Sequence, residues 1–245
     1  MSGYESLSSM DLAALLCSRV CHDIINPVGA INNGLEVLGE DNGEEMQVFA
    51  MELITKSART ASAKLQFARL AFGAAGSAGA EIDTGNAEEV ARCYMEGEKA
   101  DLDWSGAPVL MPKNLVKLLL NLILIGATTI PRGGSLKVSF EGDPKYPTFT
   151  LVCEGRNARI PASLDRLLRG RPADEQGITS HTIQPYYTGL LAREAKMDLA
   201  FDWVDDKITI EAKPVHIPTE DELAETIGSL PDGVDGIGKD AAEGV

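Results

Sequence analysis

What this chain has too little of sets its first limits. Only 22 lysines and arginines stand against 37 aspartates and glutamates, a formal net charge of −15 at pH 7. Such a surplus repels phosphate backbones and anionic headgroups, so nucleic acid and acidic membranes are poor partners. No apolar run is long enough to span a bilayer, and the opening MSGYESLSSMDL lacks the basic region of a signal peptide, so a cytoplasmic protein is expected. Cysteine is scarce, four in all, which suits a reducing compartment. Two of the four, Cys17 and Cys21, lie one helical turn apart beside His22. No complementary ligand cluster accompanies them, so small buried cysteines in a helix are expected and no metal site.

What is present is an ordinary globular balance, 44% apolar and 24% charged residues over 245 positions, long enough for two modest domains. Part of the acidity is local: after Pro218 come eight carboxylates against the single Lys239. That stretch, 218–245, reads as a disordered tail.

Residues 8 to 38 read as one long helix. Ser8 and Asp11 have the spacing of a capping box, and Leu12, Leu15, Leu16, Val20, Ile24, Val28, Ile31, Leu35 and Leu38 recur every three or four places. GEDNG is a turn by composition, and a second helix over 44 to 72 carries Met46, Phe49, Leu53, Ala61, Leu65, Ala68 and Phe72. Two helices of such length, each about 45 Å, bury only one face apiece in a single chain. A second copy covers the rest most simply, as a four-helix bundle about a two-fold axis. The alternative is that the C-terminal part folds back over the hairpin.

After GAAGSAG the pattern changes. Helices are expected over 86–97, 114–127, 162–168 and 184–195, and strands over 135–141, 148–154, 198–204 and 207–212, the last pair joined at Asp205 and Asp206. This mixture of helices and mainly antiparallel strands reads as an α/β sandwich. The fold class is therefore α plus α/β. The expected domains are a hairpin over 1–75, an α/β domain over 80–217 and the acidic tail over 218–245.

Within the first helix, CHDIINPVG is unusual. Pro27 removes a donor and crowds the carbonyl one turn back, yet the apolar stripe continues past it, so a bend in a continuous helix is expected. His22 falls off the stripe and should face solvent. Asp23 is its neighbour and Asn26 lies one turn on. A carboxylate beside one ring nitrogen fixes the tautomer and leaves the other as a nucleophile. By spacing alone this is also compatible with an ordinary surface histidine.

The run SRVCHDIINPVGAINNGLEVL resembles the dimerisation and phosphoacceptor region of histidine kinases, in which a histidine is followed by an acidic residue, then by threonine or asparagine at the fourth place and proline at the fifth. His22, Asp23, Asn26 and Pro27 match that pattern. LCSRVCHDIINPVGAINNGLEVL is similar, almost throughout, to the first helix of the ChpT-type histidine phosphotransferases of alphaproteobacteria, and the likeness covers residues 7 to about 215. It implies a kinase-like bundle followed by a degenerate ATPase-like domain. NLVKLLLNLILIGATTIPRGGSLKV looks like the asparagine helix of such a domain, with Asn121, Pro131, Gly133 and Gly134 in place. Where a kinase has a second, magnesium-holding asparagine, this chain has Ile125, which offers a hard cation nothing. Of the aspartate and glycines of the base-binding loop, only Glu154 and Gly155 in LVCEGRNARIP echo the pattern, and the glycine-rich lid is reduced to Gly189.

The resemblance thus implies a histidine phosphotransferase with no cofactor of its own: His22 as phosphoacceptor, Asp23 orienting or polarising it, Asn26 in a supporting contact. The phosphoryl donor would be the receiver domain of a hybrid histidine kinase (CckA-type), whose own pocket brings Mg2+. The acceptors would be response regulators of the CtrA and CpdR types. Two other classes stay open: a non-phosphorylated dimeric adaptor for receivers, and an ATP-dependent kinase with an unorthodox site. His181 and His216 lack such neighbours and are expected to be structural or surface groups. Arg166, Arg169 and Arg171 read as a solvated face, and Tyr186 and Tyr187 as core or contact residues.

Overall fold

The computed structural model describes residues 7–40, 43–73, 80–175, 177–217 and 219; the expected acidic tail lies almost wholly outside them. Helix α1 spans Ser9–Gly39 without a break at Pro27, which is buried within it. Its start follows the expected cap: the Asp11 amide donates to Ser8 Oγ at 3.1 Å, and that hydroxyl donates to Asp11 Oδ2 at 2.6 Å. Helix α2, Glu44–Ala71, returns antiparallel against it. The helices approach closely at Gly34, where a Cβ would sit 2.6 Å from Ile54 Cγ1. The expected stripe is only partly covered in the single chain: Val28, Leu35, Met46, Phe49 and Leu65 are all exposed.

Cys17 and Cys21 are exposed, against the expectation of burial. The line of α1 that meets α2 runs through Val20, Ile24, Pro27 and Gly34, and Cys21 is one residue, about 100°, off that line. A hydrogen bond with the Cys17 thiol, then the charge of that neighbouring group, raises the Cys21 pKa.

The α/β part begins with a small antiparallel ribbon of β1 (Glu81–Asp83) and β3 (Leu110–Pro112). Its main sheet has the order β2-β4-β5-β7-β6, with β2 at Ala100–Ser105, β4 at Gly134–Glu141, β5 at Thr148–Glu154, β6 at Met197–Val204 and β7 at Lys207–Pro214. Helix α3 is Thr84–Met95, α4 Lys113–Thr129, α5 Leu164–Leu168 and α6 Ile183–Glu194. The expected strands and helices are all present within a residue or two. Sequence reading missed β1, β2 and β3. The β2–β4 pair is parallel, which requires a crossover, and α4 supplies it.

Helix α4 is apolar almost all round because it lies inside: Leu118, Leu119, Leu120, Leu122 and Ile123 are fully buried. They meet the inward faces of the strands, where Leu136, Val138, Phe149, Leu151, Ile208 and Ile210 alternate with more accessible residues. Phe67, Leu70 and Ala71 from the end of α2 belong to the same core, so the hairpin is rooted in the α/β part. Tyr186 adds a tie near the start of α1, its phenol oxygen accepting from the Leu7 amide at 3.3 Å. Among the described residues no helix is long and apolar enough to cross a membrane.

Candidate functional site

His22 stands near the middle of α1 with 56% of its side chain exposed, as its place off the stripe requires. Asp23 directs one oxygen, Oδ1, to His22 Nδ1 at 3.5 Å. Its other oxygen, Oδ2, accepts from Arg19 Nε at 2.8 Å. The carboxylate therefore bridges a fixed cation and the imidazole. Arg19 was not picked out in the sequence, although an arginine four places before an aspartate on a helix is a readable pair. The distance to Nδ1 is long for a hydrogen bond, so the carboxylate acts on the ring mainly by charge. It favours the tautomer with the proton on Nδ1 and leaves Nε2 as the basic nitrogen. Asn26 is exposed one turn further on.

Beneath this triad lies Tyr94, whose phenol is pushed well above its ordinary range by burial, then by the charges of Glu98 and Asp23. It stays neutral and packs on Phe67 with ring centroids 4.3 Å apart. Asp23 thus has one apolar flank and one wet flank.

His181, expected to be a surface or structural group, is exposed but not remote: its ring meets that of His22 edge to face, centroids 5.2 Å apart and planes at 82°. His216 is exposed. Arg169 pairs with Asp165 at 2.8 Å on α5, as a solvated face would. Tyr186 is buried and Tyr187, whose pKa burial pushes up to about 12, packs against Phe72; both serve the core. Among the described residues no group of three or more His, Cys, Asp or Glu side chains is arranged to hold a metal ion.

The residues that echo a nucleotide site are engaged elsewhere. Asn121 is fully buried. Its amide donates to the carbonyls of Ala71 at 3.1 Å and Lys117 at 2.9 Å, and its Oδ1 accepts from Gln184 Nε2 at 3.2 Å. It ties the end of α2 and the start of α6 to the middle of α4 and has no donor left for a ligand. Ile125 is buried and lines a cleft of about 320 Å³ with Leu124, Thr128, Leu164 and Gln184. The loop after β5 is closed down: the Gly155 amide donates to the Asp206 carbonyl at 3.1 Å and the Arg159 amide to that of Thr129 at 2.9 Å. Gly189 is kept for packing, since a Cβ there would run into the Leu168 carbonyl oxygen. Replacing Asn121 with alanine would leave the Ala71 carbonyl short of a partner in the core, whereas the Gln184 amide keeps the Asn121 backbone carbonyl and Thr188 Oγ1. A loss of about 1–3 kcal/mol is expected, seen in thermal denaturation as a Tm lower by roughly 2–12 °C. An unchanged Tm would refute this role.

Comparison with known proteins follows the same lines. Residues 84–207 match the family described as histidine phosphotransferase C-terminal domain. The chain is similar to the protein phosphotransferase ChpT of Brucella abortus (strain 2308), 55% identical over 213 residues, 87% of this chain and 100% of the relative. A solved bacterial phosphotransferase is 52% identical, with a TM-score of 0.79 over 86% of this chain and 100% of the other.

Proposed function

Because this chain belongs to the histidine phosphotransferase family, we propose that His22 is where it carries the phosphoryl group. The protein is a phosphotransferase of a phosphorelay, not an ATP-dependent kinase. The observation that carries the assignment to His22 is its exposed ring, with Nδ1 facing a carboxylate that Arg19 holds in place.

The chemistry follows from that geometry. The Nε2 lone pair attacks the phosphorus of an aspartyl phosphate on a receiver domain, and the bond from phosphorus to the carboxylate oxygen breaks. The carboxylate leaves with the electron pair. The ring becomes a phosphoimidazolium whose charge Asp23 balances across Nδ1–H. No proton has to move. Both bonds keep a high transfer potential, so the same step run backwards delivers the group to a response-regulator aspartate. This chain contributes position, while the Mg2+ that neutralises the phosphoryl oxygens belongs to the receiver's acidic pocket. Asn26, exposed one turn from His22, supports the receiver contact. Leu15 and Cys17 supply apolar surface beside it, whereas Val20 faces α2 and does not.

Several receivers share this surface: that of a CckA-type hybrid kinase as donor, and regulators of the CtrA and CpdR types as acceptors. Incubation with radiolabelled phospho-receiver, and separately with labelled Mg-ATP, tests the reading. Label should pass only from the receiver. Label from ATP alone would restore the kinase reading, and receiver binding without label would leave an adaptor.

The bundle is completed by a second copy. Val28 and Leu35 on α1, with Met46, Phe49 and Leu65 on α2, are 42–60% exposed in the single chain, an apolar area a lone hairpin would not leave to water. The hairpin (1–75) then carries dimerisation and transfer, and 80–217 serves as the degenerate ATPase-like part. Sedimentation equilibrium of the full chain at micromolar concentration should give a dimer, and Phe49→Glu should shift it towards monomer. A monomeric wild type would refute the arrangement.

A further inference from the structure

The contact between His22 and His181 joins two parts of the chain that the phosphotransfer step does not otherwise link. His22 stands on α1, whereas His181 belongs to the turn that leads into α6. That turn is held firmly. The Thr179 amide donates to Thr182 Oγ1 at 2.8 Å, and the Thr182 amide donates back to the Thr179 carbonyl at 3.0 Å. Just beyond it Ile183 and Gln184 are buried, and Gln184 Nε2 donates to the Asn121 carbonyl at 3.0 Å. The α/β core therefore delivers the His181 ring to a set place.

The His22 ring has few restraints of its own. It is exposed on a helix surface, and its contact with Asp23, at 3.5 Å, limits one nitrogen loosely. An imidazole in that situation samples several side-chain orientations, of which few direct Nε2 along the approach of an acyl phosphate. The edge-to-face contact supplies a second restraint, at 5.2 Å and 82°, within the range in which such ring pairs attract. Arg19 borders the same cleft as His181, so the cation that orients Asp23 and the ring that braces His22 flank the acceptor together.

We propose that His181 is a positioning residue for phosphoryl transfer: carried by the α/β part, its ring holds the His22 imidazole with Nε2 presented to the incoming receiver. This rests on the reading of His22 as phosphoacceptor. It gives the α/β part a task at the transfer site. Because the restraint acts on the ring and not on the receiver, it changes the transfer step and leaves docking alone.

Single-turnover transfer from a phosphorylated receiver, measured over a range of concentrations of the full-length protein, separates the two. His181→Ala should lower the rate at saturation about 3–10-fold, the scale of one aromatic pair, with the half-saturating concentration unchanged. His181→Phe keeps a ring but no N–H and should restore the rate to within about twofold of wild type. An alanine variant as fast as wild type would overturn the proposal. So would equal slowing in both variants, which would mean that an N–H was needed, or an effect on half-saturation alone. All three proteins retain His22, so a wild type that takes no label from the receiver would instead defeat the acceptor reading, and this proposal with it.

Discussion

Replacing His22 with alanine is expected to abolish phosphoryl transfer, a loss of about 10⁴-fold or more, the scale on which removal of a nucleophile acts. The other side chains around it cannot substitute. Ser18 would form an ester too stable to pass on, Asp23 is paired with Arg19 at 2.8 Å, and Cys21 has a raised pKa that keeps it protonated. The variant should fold as well as the parent. The side chain is 56% exposed, exposed substitutions of this kind cost within about 0.5 kcal/mol, and alanine is the better helix former. Unchanged Tm and receiver binding with no label would therefore locate the defect in the acceptor itself. Transfer undiminished in this variant would remove His22 from the reaction.

The second large effect concerns Asp23. Asparagine is nearly isosteric but uncharged, so Asp23→Asn removes the partner of Nδ1–H and the anchor of Arg19 in one step. Transfer should slow by about 10²–10³-fold, the scale on which loss of one fixed electrostatic partner of a developing charge acts. It should not vanish, because the nucleophile remains. Stability should fall by at most about 1 kcal/mol, since the Arg19 pair lies on a partly wet helix face. Single-turnover transfer beside chemical denaturation separates the two effects, and an unaltered rate would show that the charge of Asp23 does not act on the ring.

The elements legible in the sequence were those whose cause is local. The stripe from Leu12 to Leu38 and the spacing of Ser8 and Asp11 fix α1, and alternation over 148–154 and 207–212 fixes the central strands. Strand β2 carries a weaker local signal: in ADLDWS the residues Ala100, Leu102 and Trp104 alternate with Asp101, Asp103 and Ser105, but aspartate is disfavoured in strands. Strands β1 and β3 have three residues each and exist only because they pair with one another, which no window on the sequence displays.

The site divides in the same way. His22, Asp23 and Asn26 share two turns of one helix, so spacing alone places them together. Arg19 lies on the same helix, and its pairing with Asp23 was equally readable. His181 could not be found by spacing, because only the packing of α6 against α4 brings its turn to α1. The exposure of Cys17 and Cys21 was misread for a related reason. A small thiol near an apolar stripe looks like core until the direction of α2 is known. Asn121 shows the converse case: residue type suggested a ligand site, and burial shows an amide spent on joining three helices.

The most direct test of the account is to locate the phosphate. The full-length protein would be labelled from a phosphorylated receiver, kept alkaline, and examined by fragment mass spectrometry and phosphorus–nitrogen correlation NMR. The account predicts one phosphoramidate, labile in acid and stable in alkali, on Nε2 of His22. Phosphate on Nδ1 would contradict the role given to Asp23, and an acid-stable phosphate on Ser18 or any other residue would contradict the account as a whole.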